Sequence, residues 1–309
     1  MARLRAGIGR TAAVAGAVRS TATEVMRAGD YAVHTFCSPA GLRGLAVEGM
    51  WLTAHLAVYP AGLVREQLRE SRGGYRTDPL SPLRRSLVVT DPAAAGTPIL
   101  LIHGIMDNRS VFTVFRRALR RRGFGTLHAV NYSLLTGDLR AAARQLRGHV
   151  EQLREQTGAD KVHIVGHSLG GMIARYYVQR MGGAAVVDTL VTLGSPHAGT
   201  LTAHLVPTPL ARQLRPGSPL LAQLEAPAPG CSTRFLVVWS RMDQMVVPQR
   251  NARLDHPDLD VEQLELRDVG HFALPIDSRV VRWVADALAG SDRRRGRPFS
   301  GPACSSPAS

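Results

Sequence analysis

Aromatic residues make up only 5% of this 309-residue chain, and cysteine appears three times. Cys37, Cys231 and Cys304 are far apart and odd in number. They form neither a metal-ligand spacing nor a redox pair, so a disulfide framework is not expected to carry the fold. No cofactor-binding or metal motif stands out. No helix-turn-helix, zinc-finger or RNA-binding signature is present either, which argues against nucleic acid as a partner despite a formal net charge of +14. That charge, carried almost wholly by arginine, leaves an anionic membrane surface open as a partner, or a compositional habit of the source. Internal repeats are absent. Clean hydrophobic runs are scarce too: only Leu45 to Val64 approaches bilayer-spanning length. Glu48, His55 and Pro60 interrupt it, whereas Trp51 and Tyr59 would suit an interface. A helix packed on the rest of the protein, an interfacial anchor and a true span all remain open for this run.

What the chain does have is apolar mass, at 45% hydrophobic residues, mostly Ala, Leu and Val. That supports one substantial core with appendages. Residues 1–75 read as a helical N-terminal extension that holds the protein at a membrane. Its first 30 residues carry Arg3, Arg5 and Arg10 ahead of a weak apolar stretch from Ala12 to Val18. This reads as a basic amphipathic helix or loose terminus rather than a cleaved leader. Residues 76–290 read as the main domain, and 291–309, rich in Arg, Ser, Pro and Gly, as a disordered tail.

Within 76–290, apolar runs alternate with helical patterns. Pro98–Ile102, Leu127–Val130 and Val162–Val165 read as buried strands, followed by Val186–Leu193, Phe235–Trp239 and Val261–Leu266. Between them, helices are expected over Val111–Arg122, from Leu139 to near Gly158, over Leu169–Met181 and over Arg279–Leu288. Alternation of this kind predicts an α/β fold: a mostly parallel central sheet with helices on both faces. Leu201 to Pro229 holds many leucines and prolines without a core pattern, and 201–230 reads as a cap or lid over an apolar pocket.

The chemistry concentrates in Gly166-His167-Ser168-Leu169-Gly170. This is a G-x-S-x-G nucleophile elbow, and it has the strand before it and the helix after it that the motif needs. Small residues flank the sharp turn that exposes Ser168. A serine hydroxyl is a weak nucleophile and needs a base, which needs an orienting carboxylate. Chain order in this arrangement is Ser, then Asp or Glu, then His. Of His197, His204, His256 and His271, the last lies after the final strand and before the final helix, where the base belongs. Asp243 follows the strand before and is the expected acid, with Asp268 as the rival. An oxyanion hole needs two N–H donors: Leu169, next to the nucleophile, and Ile105, in the turn His103-Gly104-Ile105. His103 and His197 are expected to support the site structurally. His256, before Pro257, reads as a solvated turn residue.

With these pieces in place, the chain resembles bacterial lipases and esterases of the α/β-hydrolase superfamily. The resemblance rests on His103-Gly104-Ile105, Gly166 to Gly171, Gly194-Ser195-Pro196-His197-Ala198-Gly199-Thr200, Asp243 and Gly270-His271-Phe272. It covers roughly residues 98–285, and nothing about residues 1–75 is inherited through it. It implies the α/β-hydrolase fold, a Ser168–His271–Asp243 triad, oxyanion donors at Ile105 and Leu169, and cofactor-free hydrolysis of acylglycerols or related lipid esters. Acyl transfer through the same acyl-enzyme is an alternative. A non-catalytic lipid-binding protein is another, but it should show a broken triad.

Overall fold

The computed structural model describes residues 96–105, 109–130 and 137–290, together with Cys37, Pro39, Leu42, Ala46, Gly49 and Thr53. The expected helical extension, apart from those six positions, and the expected disordered tail lie outside the described residues. Among the described residues, no helix is long and apolar enough to cross a membrane.

The structure is an α/β-hydrolase fold whose sheet, among the described residues, has six strands, all parallel. In chain order the strands are β1 (Ile99–Ile102), β2 (Leu127–Val130), β3 (Val162–His167), β4 (Val187–Leu193), β5 (Arg234–Ser240) and β6 (Asp260–Leu266). Their spatial order is β2-β1-β3-β4-β5-β6. The helices are α1 (Thr113–Arg121), α2 (Leu139–Thr157), α3 (Leu169–Arg180), α4 (Pro209–Gln213), α5 (Pro219–Glu225) and α6 (Ser278–Ala289).

Each strand divides its side chains between two cores because successive residues point to opposite faces. On β1, Leu100 and Ile102 join a cluster with Leu146, Val150, Ile173 and Leu221 from α2, α3 and α5. Ile99 and Leu101 join the opposite cluster, with Phe115 and Leu119 of α1 and Val280 and Val284 of α6. Both faces of the sheet are therefore covered, which is why the central strands read as continuous apolar runs. β6 is the exception: it is an edge strand whose residues are mostly exposed or half-buried, and only Leu266 is buried.

Local chemistry sets the helix boundaries. Asp138 accepts from Arg140 N and starts α2, and Gly158, in left-handed conformation at φ 67°, ends it. Asp277 accepts from Arg279 N and Val280 N to start α6. The segment expected as a cap contains α4 and α5, each begun by a hydroxyl cap and a proline, Thr208-Pro209 and Ser218-Pro219. One element differs from the sequence expectation. Val111–Arg122 is not a single helix, because Arg109–Phe112 forms a 3-10 turn before α1 begins at Thr113. Val111 and Phe112 are buried all the same, so the apolar spacing was right and the winding was not.

The sidedness of α1 gives a direct test of this packing. Phe115 is fully buried, whereas Val114 is 52% exposed. Phe115→Ala should lower unfolding free energy by about 3–5 kcal/mol, and Val114→Ala by no more than about 0.5 kcal/mol. Urea unfolding midpoints of the two variants check this; equal shifts would contradict the assigned helix face.

Candidate active site

The elbow forms where β3 ends and α3 begins. Ser168 has φ 54° and ψ −121°, and among the described residues it is the only non-glycine with positive φ. That conformation is costly and is held only where surrounding structure enforces it. Here the enforcement is close packing. A Cβ added to Gly170 would lie 2.3 Å from the Ile102 carbonyl oxygen and 2.6 Å from that of His103. A Cβ on Gly166 would lie 2.4 Å from Gly171 N. Bare backbone at both positions lets the first turn of α3 press against the end of β1. Ser168 and Leu169 consequently line the same cavity as Ile105, on the loop after β1. Free N–H groups at a helix start favour negative charge there.

Asp243 and His271 meet on the loops after β5 and β6. His271 Nδ1 lies 2.8 Å from Asp243 Oδ2, and both side chains are buried. The other carboxylate oxygen, Oδ1, accepts from Met245 N at 2.9 Å and Val246 N at 2.8 Å. An ionised carboxylate only accepts, so Nδ1 is the protonated nitrogen of His271 and Nε2 carries the basic lone pair. The rival Asp268 is turned away: it is exposed and bound bidentately by Arg279, at 3.1 and 2.9 Å.

Three further histidines hold the framework. His167, buried inside the elbow, donates from Nε2 to the His271 carbonyl at 3.1 Å, with the two rings 4.8 Å apart. Its importance was hidden in the sequence, where it occupies the variable position of the motif. His103 stays local, its Nδ1 2.8 Å from the Gly104 carbonyl. His197 lies in the loop after β4, with Nε2 2.9 Å from Thr192 Oγ1 and its carbonyl accepting from Arg175. Burial, and secondarily the Arg175 charge, hold its pKa well below the usual histidine value, so it is neutral. His256 is not the solvated turn residue the sequence suggested. It is buried, with Nε2 3.2 Å from the Ala226 carbonyl and Nδ1 accepting from Asp258 N. It ties the loop before β6 to the end of α5. His204 is exposed.

Thr200 and Thr202 join the β4 loop to the acid loop, both donating to the Met245 carbonyl, while Thr200 Oγ1 accepts from Val247 N. Nothing in the sequence pattern marked these contacts. In front of Ser168 lies a cavity of about 670 Å³, walled by apolar groups that include Leu214, Val246 and Phe272. Ala203, Leu205, Val206 and Ala211 of the 201–230 segment line it, as does Gly49 of the extension. Among the described residues, no three His, Cys, Asp or Glu side chains converge as metal ligands.

The parallel sheet, the strained serine at a strand–helix turn and the buried acid–histidine pair at neighbouring strand ends are the arrangement of the α/β-hydrolase fold. In sequence and fold the chain is similar to lipases and esterases built on that fold. A family described as palmitoyl protein thioesterase matches residues 98–249. A triacylglycerol lipase of Pseudarthrobacter phenanthrenivorans is 32% identical over 126 residues, covering 37% of this chain and 37% of that one. One of Burkholderia plantarii is 32% identical over 126 residues, covering 37% and 33%. The match thus spans little more than a third of these curated lipases. In fold, the chain is similar to Aspergillus fumigatus lipase B, with TM-score 0.55 and 15% identity over 70% of this chain and 59% of that one. It is likewise similar to a mature Bacillus licheniformis lipase, with TM-score 0.54 and 17% identity over 63% and 92%.

The elbow packing is testable apart from any reaction. Gly170→Ala should destabilise the fold by about 1–3 kcal/mol through overpacking, whereas Gly148→Ala, on α2 where a Cβ meets nothing within 4 Å, should be neutral or stabilising. Thermal melts distinguish them; equal stability would contradict the close approach of α3 to β1.

Proposed function

We propose that this protein is a serine carboxylic ester hydrolase acting on acylglycerols or related lipid esters, with Ser168, His271 and Asp243 as its triad. The observation that carries the reading is the buried Asp243–His271 pair, packed on His167, the residue next to a strained elbow serine. In this mechanism His271 Nε2 takes the Ser168 proton as Oγ attacks the ester carbonyl. The N–H groups of Leu169 and Ile105 stabilise the oxyanion. The protonated His271 then gives its proton to the departing alcohol, leaving Ser168 acylated. A water, deprotonated by the same nitrogen, attacks the acyl-enzyme; the Oγ–acyl bond breaks, His271 returns the proton to Ser168 Oγ, and the carboxylic acid is released. Asp243 fixes the tautomer and ring orientation throughout. No metal or organic cofactor takes part in this scheme.

The apolar cavity in front of Ser168 supports an apolar acyl group. Its volume falls within the roughly 300–1,000 Å³ typical of small-molecule sites. The 201–230 segment acts as its cap. The match to a thioesterase family favours a second substrate type, an S-acyl thioester opened by the same steps.

Ser168→Ala should cut turnover by about 10⁴-fold or more without changing the melting temperature. Assays on nitrophenyl esters of increasing chain length, with and without detergent and beside a matched thioester, read this directly. Turnover near that of the unaltered protein would remove Ser168 from the mechanism. Asp243→Asn should lose about 10⁴-fold in kcat, while Asp268→Asn should stay near the parent. The reverse ranking would move the acid to Asp268.

The extension is proposed to bring this site to an anionic lipid surface. Gly49 stands at the cavity beside Leu205 and Val206, which are 82% and 43% exposed. Burying apolar surface in lipid gains about 25 cal/mol per Å², and arginines beside it add about 1 kcal/mol each near anionic headgroups. A chain beginning near Asp78 should hydrolyse short esters in solution yet lose sedimentation with anionic vesicles. Aggregation of the shortened chain, with a full chain that ignores vesicles, would instead make the 45–64 run part of the core.

A further inference from the structure

The loop after β4 walls two cavities. Pro196 lines the apolar one in front of Ser168, whereas His197 and Ala198 line a second, of about 260 Å³. The second carries charged side chains. Arg175, Arg250 and Arg253 line it, with Glu225 and Asp255 as the acids and Asn251 beside them.

Arg175 is unusual for a charged group. It is only 2% exposed, on a helix whose neighbours are apolar. Its Nε donates to Gln179 Oε1 at 2.7 Å, Nη1 to the His197 carbonyl at 3.1 Å, and Nη2 to the Leu224 carbonyl at 3.0 Å. Nη1 also lies 3.4 Å from His197 Nδ1. Every one of these partners is neutral. Burial pushes the guanidinium pKa down to about 10, and the nearby Glu225 charge opposes that only in part. Glu225 is exposed and is not among the hydrogen-bond partners of Arg175. A buried cation whose hydrogen bonds all end on neutral groups is costly, and a bound anion would offset that cost. These four contacts use four of the five N–H donors of the guanidinium, and the fifth is on Nη2.

The charge count of the lining points the same way. His197 is neutral, so three arginines face two carboxylates and leave one positive charge uncompensated. A monoanion neutralises it. Guanidinium forks suit the paired oxygens of a carboxylate or a phosphate. At less than half the volume of the cavity before Ser168, the space suits a headgroup-sized molecule rather than an acyl chain.

We propose that this cavity is a binding site for a small monoanionic oxyanion, seated over the Arg175 guanidinium and clasped by Arg250 and Arg253. The recognised group is a carboxylate or a phosphodiester, whose sources would be a free organic acid or a phospholipid headgroup. The site stands apart from the ester chemistry, so it does not depend on Ser168.

Binding is tested on the full-length protein by thermal shift, with acetate and dimethyl phosphate as probes and chloride at matched ionic strength as the baseline. The expected result is a saturable rise in melting temperature with at least one probe, unchanged in Ser168→Ala. Tighter binding of dimethyl phosphate identifies the headgroup source, and tighter binding of acetate the free acid. The double variant Arg250→Ala/Arg253→Ala, altered only at exposed positions, should keep the fold and ester hydrolysis and weaken the probe by at least about tenfold. The proposal is overturned if neither probe departs from chloride, or if the double variant binds as tightly as the parent.

Discussion

A carboxylate sealed from water at the end of a central strand organises this molecule. Asp243 is fully buried, and an unpaired charge there would be prohibitive. Three partners offset the cost: two backbone N–H groups of its own turn and the imidazole of His271. Those partners dictate the shape of the loops that follow β5 and β6. The Met245-Val246 turn must wrap Oδ1; its Met245 carbonyl accepts from Thr200 and Thr202 of the loop after β4, and the Val247 amide that follows donates to Thr200. His271 must present Nδ1, and His167 pins its carbonyl from inside the elbow. One buried charge thus couples the carboxyl ends of β3, β4, β5 and β6. In an open parallel sheet that edge is where ligand sites form.

The second constraint is steric. Ser168 keeps its positive φ because Gly166 and Gly170 allow α3 to approach β1 and β3 more closely than any side chain would permit. Electrostatic and steric demands are met by different strands, yet both converge on one apolar cavity. The site's polar groups are fixed by backbone contacts, and part of the apolar wall of the cavity comes from the 201–230 segment. That division matches the behaviour of folds that host many substrates on one framework.

Legibility in the sequence followed period and motif. The buried strands, the long helix α2 from Leu139 to near Gly158, and the elbow could all be read because local chemistry and tertiary role agree there. Strand position separates the two carboxylates: Asp243 is buried after β5 against His271, while Asp268, nearer His271 in sequence, pairs with Arg279 at the surface. Contacts between segments distant in sequence left no trace. Neither the Arg175–His197–Leu224 ties nor the burial of His256 under Ala226 follows from any local pattern. The 3-10 turn before α1 was missed because apolar spacing reports a buried face and says little about how tightly the backbone winds over four residues.

The central claim is that the elbow serine is activated by the buried pair. It is tested most directly by treating the native protein with an alkyl fluorophosphonate and locating the adduct by peptide mass spectrometry. The account predicts one stoichiometric adduct on Ser168, lost in His271→Ala and slowed strongly in Asp243→Asn. Modification of another residue, or labelling of Ser168 at an undiminished rate without His271, would contradict it.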